Sequence, residues 1–569
     1  MDNNGIASTL KLTATLLELH DENVFKIKAI QSASTAVENA TELLGQMNVD
    51  ELSALPYLGK SIVSKIVEIN TTGTTVELTA LLEITPEGVV EMLNIKGVGA
   101  KKVSTIWKQL HVETIADLLV ACDQNKVAAL KGFGEKTQET IKQNILYAKS
   151  NAHFLLYAQA EVVAEELLQL IAKIPEVLQV SISGELQRKM EVIEKIGLVV
   201  AASSNTAVFN RLTQLDFLEE DISTSSPYAW RGKLKETNTN VEIIIATELQ
   251  FQSTLYLHTA APAHLTSKLD NGKTIFQTIY QAEAKEEIEL FEKLQLPYIA
   301  PELREGKIEF ELIKNNPTHQ LLKTEDLRGV LHNHSKYSDG ANTVEEMALR
   351  CMELGYEYFG IADHSKSGNF YNGGMYEDKV VAQHKEIDEL NKKLFPFKIF
   401  KGIEVDILAD GSLDYNDDVM ATFDYVVASI HANLKMNIDK ATARTIKAIE
   451  HPSTTILGHA SGRLLLKREG FPLDYKKVIE ACAANEVGIE INANPMRLDM
   501  DWRHVIYALE KGILISINPD AHSLAGLEDM KYGVNVGRKA GLSKEMTLNA
   551  MNGEQISQYF LQRKMKKGL

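Results

Sequence analysis

Cysteine is scarce in this 569-residue chain: Cys122, Cys351 and Cys482 stand far apart and form no C-x-x-C pair. That excludes a disulfide-stapled secreted scaffold and a cysteine-built zinc ribbon, and a reduced, cytoplasmic protein is expected. No apolar run approaches the roughly 20 residues of a membrane-spanning helix, so no membrane partner is expected. The opening stretch, MDNNGIAST, lacks the basic and apolar segments of a secretory leader. Positive charge is also short, with 60 Lys and Arg against 77 Asp and Glu and a net charge of −17. Any contact with nucleic acid must therefore rest on local basic patches and not on the overall field. What the chain does have is length and an ordinary 44% hydrophobic content, enough for roughly three to five globular domains.

Histidine is unevenly spread: nine of the 15 fall between His332 and His522. The stretch VLHNHSKYSDG, residues 330–340, carries His332 and His334 two apart, then Asp339. Alternate side chains of a strand share a face, so a strand here points both imidazoles the same way. Two imidazoles with a nearby carboxylate suit Zn(II), Mn(II) or Fe(II). Further apolar runs end in metal-competent residues: at Asp363 and His364, at Glu404 and Asp406, at His431, at His459, at Asn492 and Asn494, and at Asp520 and His522. Seven strand-like runs alternate with amphipathic helical stretches such as 343–354 and 475–485. The pattern predicts a parallel sheet with right-handed crossovers. In a β/α barrel the C-terminal strand ends form one rim, where residues distant in sequence meet. His384, His451 and His504 lack this strand-end context and read as ordinary core or surface histidines.

The segment 328–569 resembles a PHP (polymerase and histidinol phosphatase) domain, through the motifs HNHSKYSDG, ADHS, GIEVDI, ASIHA, ILGHASGRLL, IEINANPMRLD and INPDAH, in that order. The resemblance implies a (β/α)7 barrel holding three divalent ions, Zn, Mn or Fe. The implied ligands are His332, His334, Asp339, His364, Glu404, His431, His459, Asp520 and His522, with Glu404 as a bridging carboxylate. It further implies metal-dependent phosphoester hydrolysis, with His332, His334, Glu404, His431, Asp520 and His522 as the catalytic set. Arg463 and Arg497, on rim loops, are candidate clamps for phosphate oxygens. Asp363 and Asp406 are expected to orient His364 and Glu404.

Residues 1 to about 150 read as helical, with three punctuated turns: LPYLGK (55–60), LNIKGVGAK (93–101) and LKGFGEK (130–136). Each runs from apolar residues through glycine to a lysine that opens a helix, and the pattern resembles the helix-hairpin-helix motif. Gly59, Gly97, Gly99, Gly132 and Gly134 let backbone N–H groups approach a phosphate at a helix N-terminus. Lys60, Lys101 and Lys136 add sequence-independent attraction. The span 96–149 holds nine lysines against five acids, a basic patch in an acidic chain. The expected partner is DNA, gapped or 3′-ended, held by its backbone.

The whole chain resembles the X family of DNA polymerases in the bacterial arrangement, where helical domains precede palm, thumb and a C-terminal PHP domain. This divides it into a lyase-like helical domain (1–85), a fingers-like domain (86–155), an α+β nucleotidyltransferase-like palm (156–245), a thumb-like region (246–318) and the PHP domain (326–569). The palm departs from the family. SGELQRKMEVIEKIG, residues 183–197, keeps the frame through Arg188 and Glu191 but places Lys195 and Gly197 where the family has two aspartates; the third acidic position is Glu242. Two-metal nucleotidyl transfer needs those carboxylates, so a degenerate palm that does not polymerise is expected. The thumb turn, LHTAAP at 257–262, is altered too. Lys65 matches the family's Schiff-base lyase lysine. That role needs a partly deprotonated amine, and a solvated, phosphate-contacting lysine is the alternative.

The expected activity is a 3′-5′ exonuclease, or a nuclease processing DNA 3′ ends or abasic sites in repair. The alternatives are a gap-filling polymerase, a small-molecule phosphatase similar to histidinol phosphatase, and a non-catalytic DNA-end scaffold. Lys195 and Gly197 argue against the first, the three glycine-lysine turns against the second, and the complete ligand set against the third.

Overall fold

The computed structural model describes residues 3–38, 40, 43–55, 58–95, 98–151, 153–370 and 373–569. They divide into an N-terminal unit, Met1–Ala152, and a second unit, His153–Leu569. In the first, α1 (Asn3–Leu19) buries Ile6, Leu10, Ala14 and Leu17, one face of an amphipathic helix, against α2 (Val24–Glu38). Asn48 starts α3 (Val49–Ala54) with a reciprocal cap: its side chain accepts from the Asp50 and Glu51 amides while Glu51 returns to its own amide. The helices that follow the first two glycine turns are α4 (Lys60–Thr72) and α5 (Ala100–Leu110), with Gly59 and Gly99 as their caps. After the third turn comes α6 (Glu135–Asn151). One apolar cluster, from Ile6 to Ile145, underlies these helices.

The second unit begins with a five-stranded sheet: β1 (Val177–Ser183), β2 (Lys195–Ala202), β3 (Leu218–Glu220), β4 (Ala229–Leu234) and β5 (Asn240–Ala246), ordered β1-β2-β5-β4-β3. β2 and β5 are parallel with Gly197 opposite Glu242, and both are largely buried, as their unbroken apolar runs require. A helical region around Tyr256, Ile275 and Phe291 has its own apolar cluster.

Seven parallel strands then follow in sequence order: β6 (Gly329–Val330), β7 (Tyr358–Ile361), β8 (Lys398–Asp406), β9 (Tyr425–Ser429), β10 (Ile456–Leu457), β11 (Gly488–Asn492) and β12 (Ile515–Asn518). They curl into a nearly closed barrel. β6 and β12 share no ladder. Their seam is held by the Asn333–Ala521 bridge and by Asn549, whose Oδ1 accepts from the Ile517 amide (2.7 Å) and whose Nδ2 donates to the Gly329 carbonyl (3.2 Å). Inside, the Tyr425 ring lies so close to Gly402 that an added Cβ would meet it at 2.3 Å. Phe560, from the helix Gly553–Lys567, stacks on Tyr425 with centroids 5.1 Å apart. Aromatic packing thus fills the lower end and leaves the C-terminal strand ends for polar side chains. No helix among the described residues is long and apolar enough to cross a membrane.

The five-stranded sheet and the barrel are joined by buried charge. Lys539 is fully buried and donates to Glu305 Oε1 at 2.7 Å and to the Arg188 carbonyl at 2.8 Å. Arg188 Nε lies 2.9 Å from the same carboxylate. Glu305 therefore compensates two cations, Lys539 fully buried and Arg188 largely so. Replacing Glu305 with Ala leaves Lys539 buried without its counter-charge, and a loss of about 3–5 kcal/mol is expected for this unit, measured by denaturant unfolding of the full chain.

Candidate metal centre

The chemistry-bearing residues collect at the C-terminal rim of the barrel. β6 stops at Val330, so His332 and His334 lie beyond the strand, and the expected pleat alternation does not aim them. His332 instead adopts left-handed backbone (φ 62°), as does Asp520 across the seam (φ 51°). Such backbone is costly in residues other than glycine and persists where the surroundings fix it. Here the seam does so, the His334 amide donating to the Ala521 carbonyl at 2.9 Å.

Glu404, near the end of β8, is the hub and is 1% exposed. Its Oε1 faces His459 Nε2 at 2.9 Å, His431 Nε2 at 3.2 Å and His332 Nε2 at 3.3 Å. Its Oε2 faces His364 Nδ1 at 2.9 Å and His334 Nε2 at 3.7 Å. Asp520 Oδ1 lies 3.0 Å from His334 Nε2, and Asp339 Oδ2 lies 3.3 Å from His522 Nε2. All nine residues singled out in the sequence fall into four overlapping groups whose donor atoms lie within 4.8 Å of one another: His334, Asp339, His364 and His522; His332, His334 and Glu404; His332, His459 and Asp520; His364, Glu404 and His431. His522 and Asp339, the more exposed of the set, mark its open side.

Charge within the cluster is strongly polarised. Burial disfavours ionised Glu404, but the imidazoles of His431, His332 and His364 hold its carboxyl well below the usual range. Asp520 is likewise held low against burial, by His332 and His334. Burial opposes a charged His332 also, yet Glu490, Glu404 and Asp520 raise it well above the ordinary value, and Glu404 and Asp406 lift His431 to about 9. His334, desolvated and facing His522 and His364, falls to about 3. The donors fit divalent cations. His332 Nε2, both His334 ring nitrogens and both Glu404 oxygens are buried and make no hydrogen bond, whereas buried polar atoms otherwise find partners.

Supporting contacts differ in part from expectation. Asp406 pairs with His431 Nδ1 at 2.8 Å, not with Glu404. Asp363 does not hold the His364 ring. It accepts from the Ser335 amide and hydroxyl, from Ser338 and from Gln383, bracing the loop that carries His334 and Asp339. Glu490, on β11, was missed. It pairs with His332 Nδ1 at 2.6 Å and accepts from Asn518 Nδ2 and the His459 amide. The only sign of it in the sequence is an acid inside the apolar run GIEIN. Arg463 is not presented to a ligand, because its guanidinium is engaged by Asp501 at 2.6 Å and by the carbonyls of Arg497 and Leu498. Arg497 stands at the rim, its Nε 3.5 Å from Asp520 Oδ2.

In the five-stranded sheet, Lys195 Nζ contacts Glu242 Oε2 at 2.6 Å and Arg231 Nε contacts Oε1 at 2.7 Å, beside a polar cleft of about 570 Å³. Burial opposes the charge on Glu242, but Lys195 and Arg231 hold its carboxyl below the usual range. A Cβ on Gly197 would sit 2.8 Å from Ser183 Oγ. In the N-terminal unit, Lys65 pairs with Glu77, which also holds Lys26 at 2.5 Å, so Lys26 is a cationic neighbour of Lys65. Gly59, Gly99, Gly132 and Gly134 are exposed, as are Lys60, Lys101 and Lys136, and a Cβ at any of the four glycines would meet no protein atom within 4 Å. Gly97 lies outside the described residues.

Comparison with known proteins agrees with this layout. The PHP domain family matches residues 331–494, a helix-hairpin-helix domain family residues 1–75, and a SAM-like helix-hairpin-helix tandem residues 89–145. The DNA polymerase/3′-5′ exonuclease PolX of Bacillus subtilis (strain 168) is 33% identical over 98% of this chain and 99% of its own. A probable phosphatase of Thermoanaerobacter sp. (strain X514) is 27% identical over 42% of this chain and 96% of its own. A probable phosphatase of Clostridium acetobutylicum is 25% identical over 34% of this chain and 78% of its own. With likeness along nearly its whole length, two helix-hairpin-helix modules at the front and a PHP barrel behind, the chain belongs to the PolX family.

Proposed function

We propose that the barrel is a metal-dependent phosphoesterase acting on DNA, as a 3′-5′ exonuclease or a nuclease that processes 3′ ends or abasic sites in repair, and that the palm does not polymerise. The observation that carries this is the gathering of nine ligand residues at one rim, five imidazoles around Glu404 among them, with buried nitrogens and oxygens that make no hydrogen bond. Six histidines and three carboxylates suit three divalent ions, Zn, Mn or Fe. Such ions lower the pKa of a bound water toward neutrality and offset phosphate charge.

The chain's own residues supply position. Glu490 and Asp406 hold the Nδ1 sides of His332 and His431, which turns the Nε2 atoms toward Glu404 and fixes the ligating tautomer. Arg497, beside Asp520, is placed to meet a phosphate oxygen, while Arg463 only braces its loop. The glycine-lysine turns supply backbone binding. This agrees with the helix-hairpin-helix families and with the exonuclease in the Bacillus relative's name. The polymerase in that name does not transfer: where carboxylates would gather two cations, this chain puts the Lys195 ammonium and a glycine, and Glu242 is already neutralised by Lys195 and Arg231. Lys65, tied to Glu77, is assigned to phosphate contact and not to lyase chemistry. A second reading, hydrolysis of a small phosphoester, is favoured by the probable phosphatase that matches over 96% of its own length.

A labelled primer on a gapped template, incubated with Mn(II) with and without dNTPs, separates these readings. Shortening by the wild type that disappears in His334→Ala is the expected result. Extension with dNTPs overturns the palm assignment, and an untouched primer beside hydrolysis of a small phosphoester selects the second reading.

Proton competition gives a further expectation. The raised values of His332, His364 and His431 favour their protonated rings, and a ligating ring must be neutral, so ions compete with protons for them. Affinity measured by chelator competition should climb as the pH rises through neutrality toward about 9, the value to which Glu404 and Asp406 lift His431 against burial; a flat profile contradicts the ligand assignment. In the same assay Glu490→Gln should weaken ion binding by about 10–100-fold with little change in melting temperature.

A further inference from the structure

The palm reaches the barrel rim through a residue of its own degenerate signature. Glu191, with its side chain 13% exposed, receives Arg503 NH1 at 2.6 Å. The same nitrogen lies 2.9 Å from Asp501 Oδ2, and that oxygen also receives Arg463 NH1 at 2.6 Å. Arg463 donates through Nε to the Arg497 carbonyl at 2.9 Å and through NH2 to the Leu498 carbonyl. Arg497 Nε stands 3.5 Å from Asp520 Oδ2. A continuous row of charge-assisted contacts therefore runs from the palm to a member of the metal centre.

We propose that Glu191 and Arg503 are positioning residues for Arg497, so that the palm, having lost its own carboxylates, serves the barrel by setting the rim segment 494–501. This rests on the phosphoesterase reading above. Two arginines share Asp501. Glu191 takes part of the Arg503 charge, so that Asp501 Oδ2, though shared, keeps its shorter contact with Arg463, whose fork fixes the successive carbonyls of Arg497 and Leu498. Forked guanidinium contacts of this kind carry geometric specificity. The nearly buried setting of Asp501 and Arg463, each 16% exposed, keeps water from replacing them. Without Glu191, Arg503 draws on Asp501 alone, the hold on Arg463 loosens, and the Arg497 side chain loses its fixed place beside Asp520.

The test uses the full chain in six variants: Glu191→Ala, Glu191→Gln, Arg503→Ala, Arg497→Ala, the double variant Glu191→Ala with Arg497→Ala, and His334→Ala. Amide hydrogen exchange of metal-free protein should quicken in residues 494–501 of Glu191→Ala and Arg503→Ala, while β11 stays protected. With Mn(II) and 3′-labelled single-stranded DNA, both variants should lose about tenfold in kcat with KM and bound metal unchanged. Glu191→Gln, which keeps an acceptor, should recover part of the loss. Combined with Arg497→Ala, Glu191→Ala should cause no additional loss, a dependence that general destabilisation would not produce. Unchanged exchange in 494–501, or losses that multiply in the double variant, overturn the proposal. Cleavage that survives in His334→Ala overturns the underlying phosphoesterase reading instead, and the exchange result then still decides whether Glu191 sets the loop.

Discussion

A carboxylate shut away from water with no hydrogen-bond donor of its own is the constraint around which the barrel rim is arranged. Glu404 has five imidazoles within 3.7 Å of its two oxygens, and a buried charge of this kind is tolerated only where positive charge answers it. Every strand end nearby contributes to that answer. Burial, which alone would neutralise such a group, is overruled by the surrounding rings, and the same rings are in turn raised or lowered according to whether they face carboxylates or each other. Arranging so many titratable groups in one dry space is expensive unless cations complete it, and the donor set fits cations.

The second theme is the division of labour between the barrel's two ends. Aromatic rings fill the lower interior, with Tyr425 pressed onto Gly402 and covered by Phe560. This leaves no freedom for the strands to slide, and the polar rim is built on that rigid base. Glu490 and Asp406 then hold the far nitrogens of His332 and His431, so strand-borne carboxylates fix the rings that the loops present.

Much of this is legible in the chain itself. Each rim residue follows an apolar run of strand length, and alternating helices leave a parallel barrel as the natural arrangement, so the meeting of His332, Glu404, His459 and Asp520 follows from topology. Other features are not legible because they depend on partners distant in sequence. Glu490 sits in GIEIN, where a single acid looks like the outward face of a strand; only its contact with His332 across the barrel gives it a role. Arg463 reads as a phosphate clamp from its place in HASGRLL, yet Asp501 and two backbone carbonyls claim it first. His332 and His334 face the site for a reason other than the two-residue spacing that suggested it, since β6 ends before them and a left-handed turn does the aiming. Asp363 and Asp406 were recognisable as supporting groups, but which neighbours they support is decided by loop packing that spacing does not encode.

The stitching of the barrel seam by Asn549 bears on the order of assembly. Strands β6 to β12 can pair with their neighbours as soon as each emerges, because every parallel contact in the sheet joins consecutive strands. The first and last have no ladder between them and are tied at the lower end by a side-chain amide some thirty residues beyond β12. Apart from Asn549, the two edges, with His332 and His334 on one and Asp520 and His522 on the other, meet through the Asn333–Ala521 bridge and the His334 amide. The rim thus becomes a single site only once the last strand is in place, and Asn549, in the final segment of the chain, then ties β12 to β6.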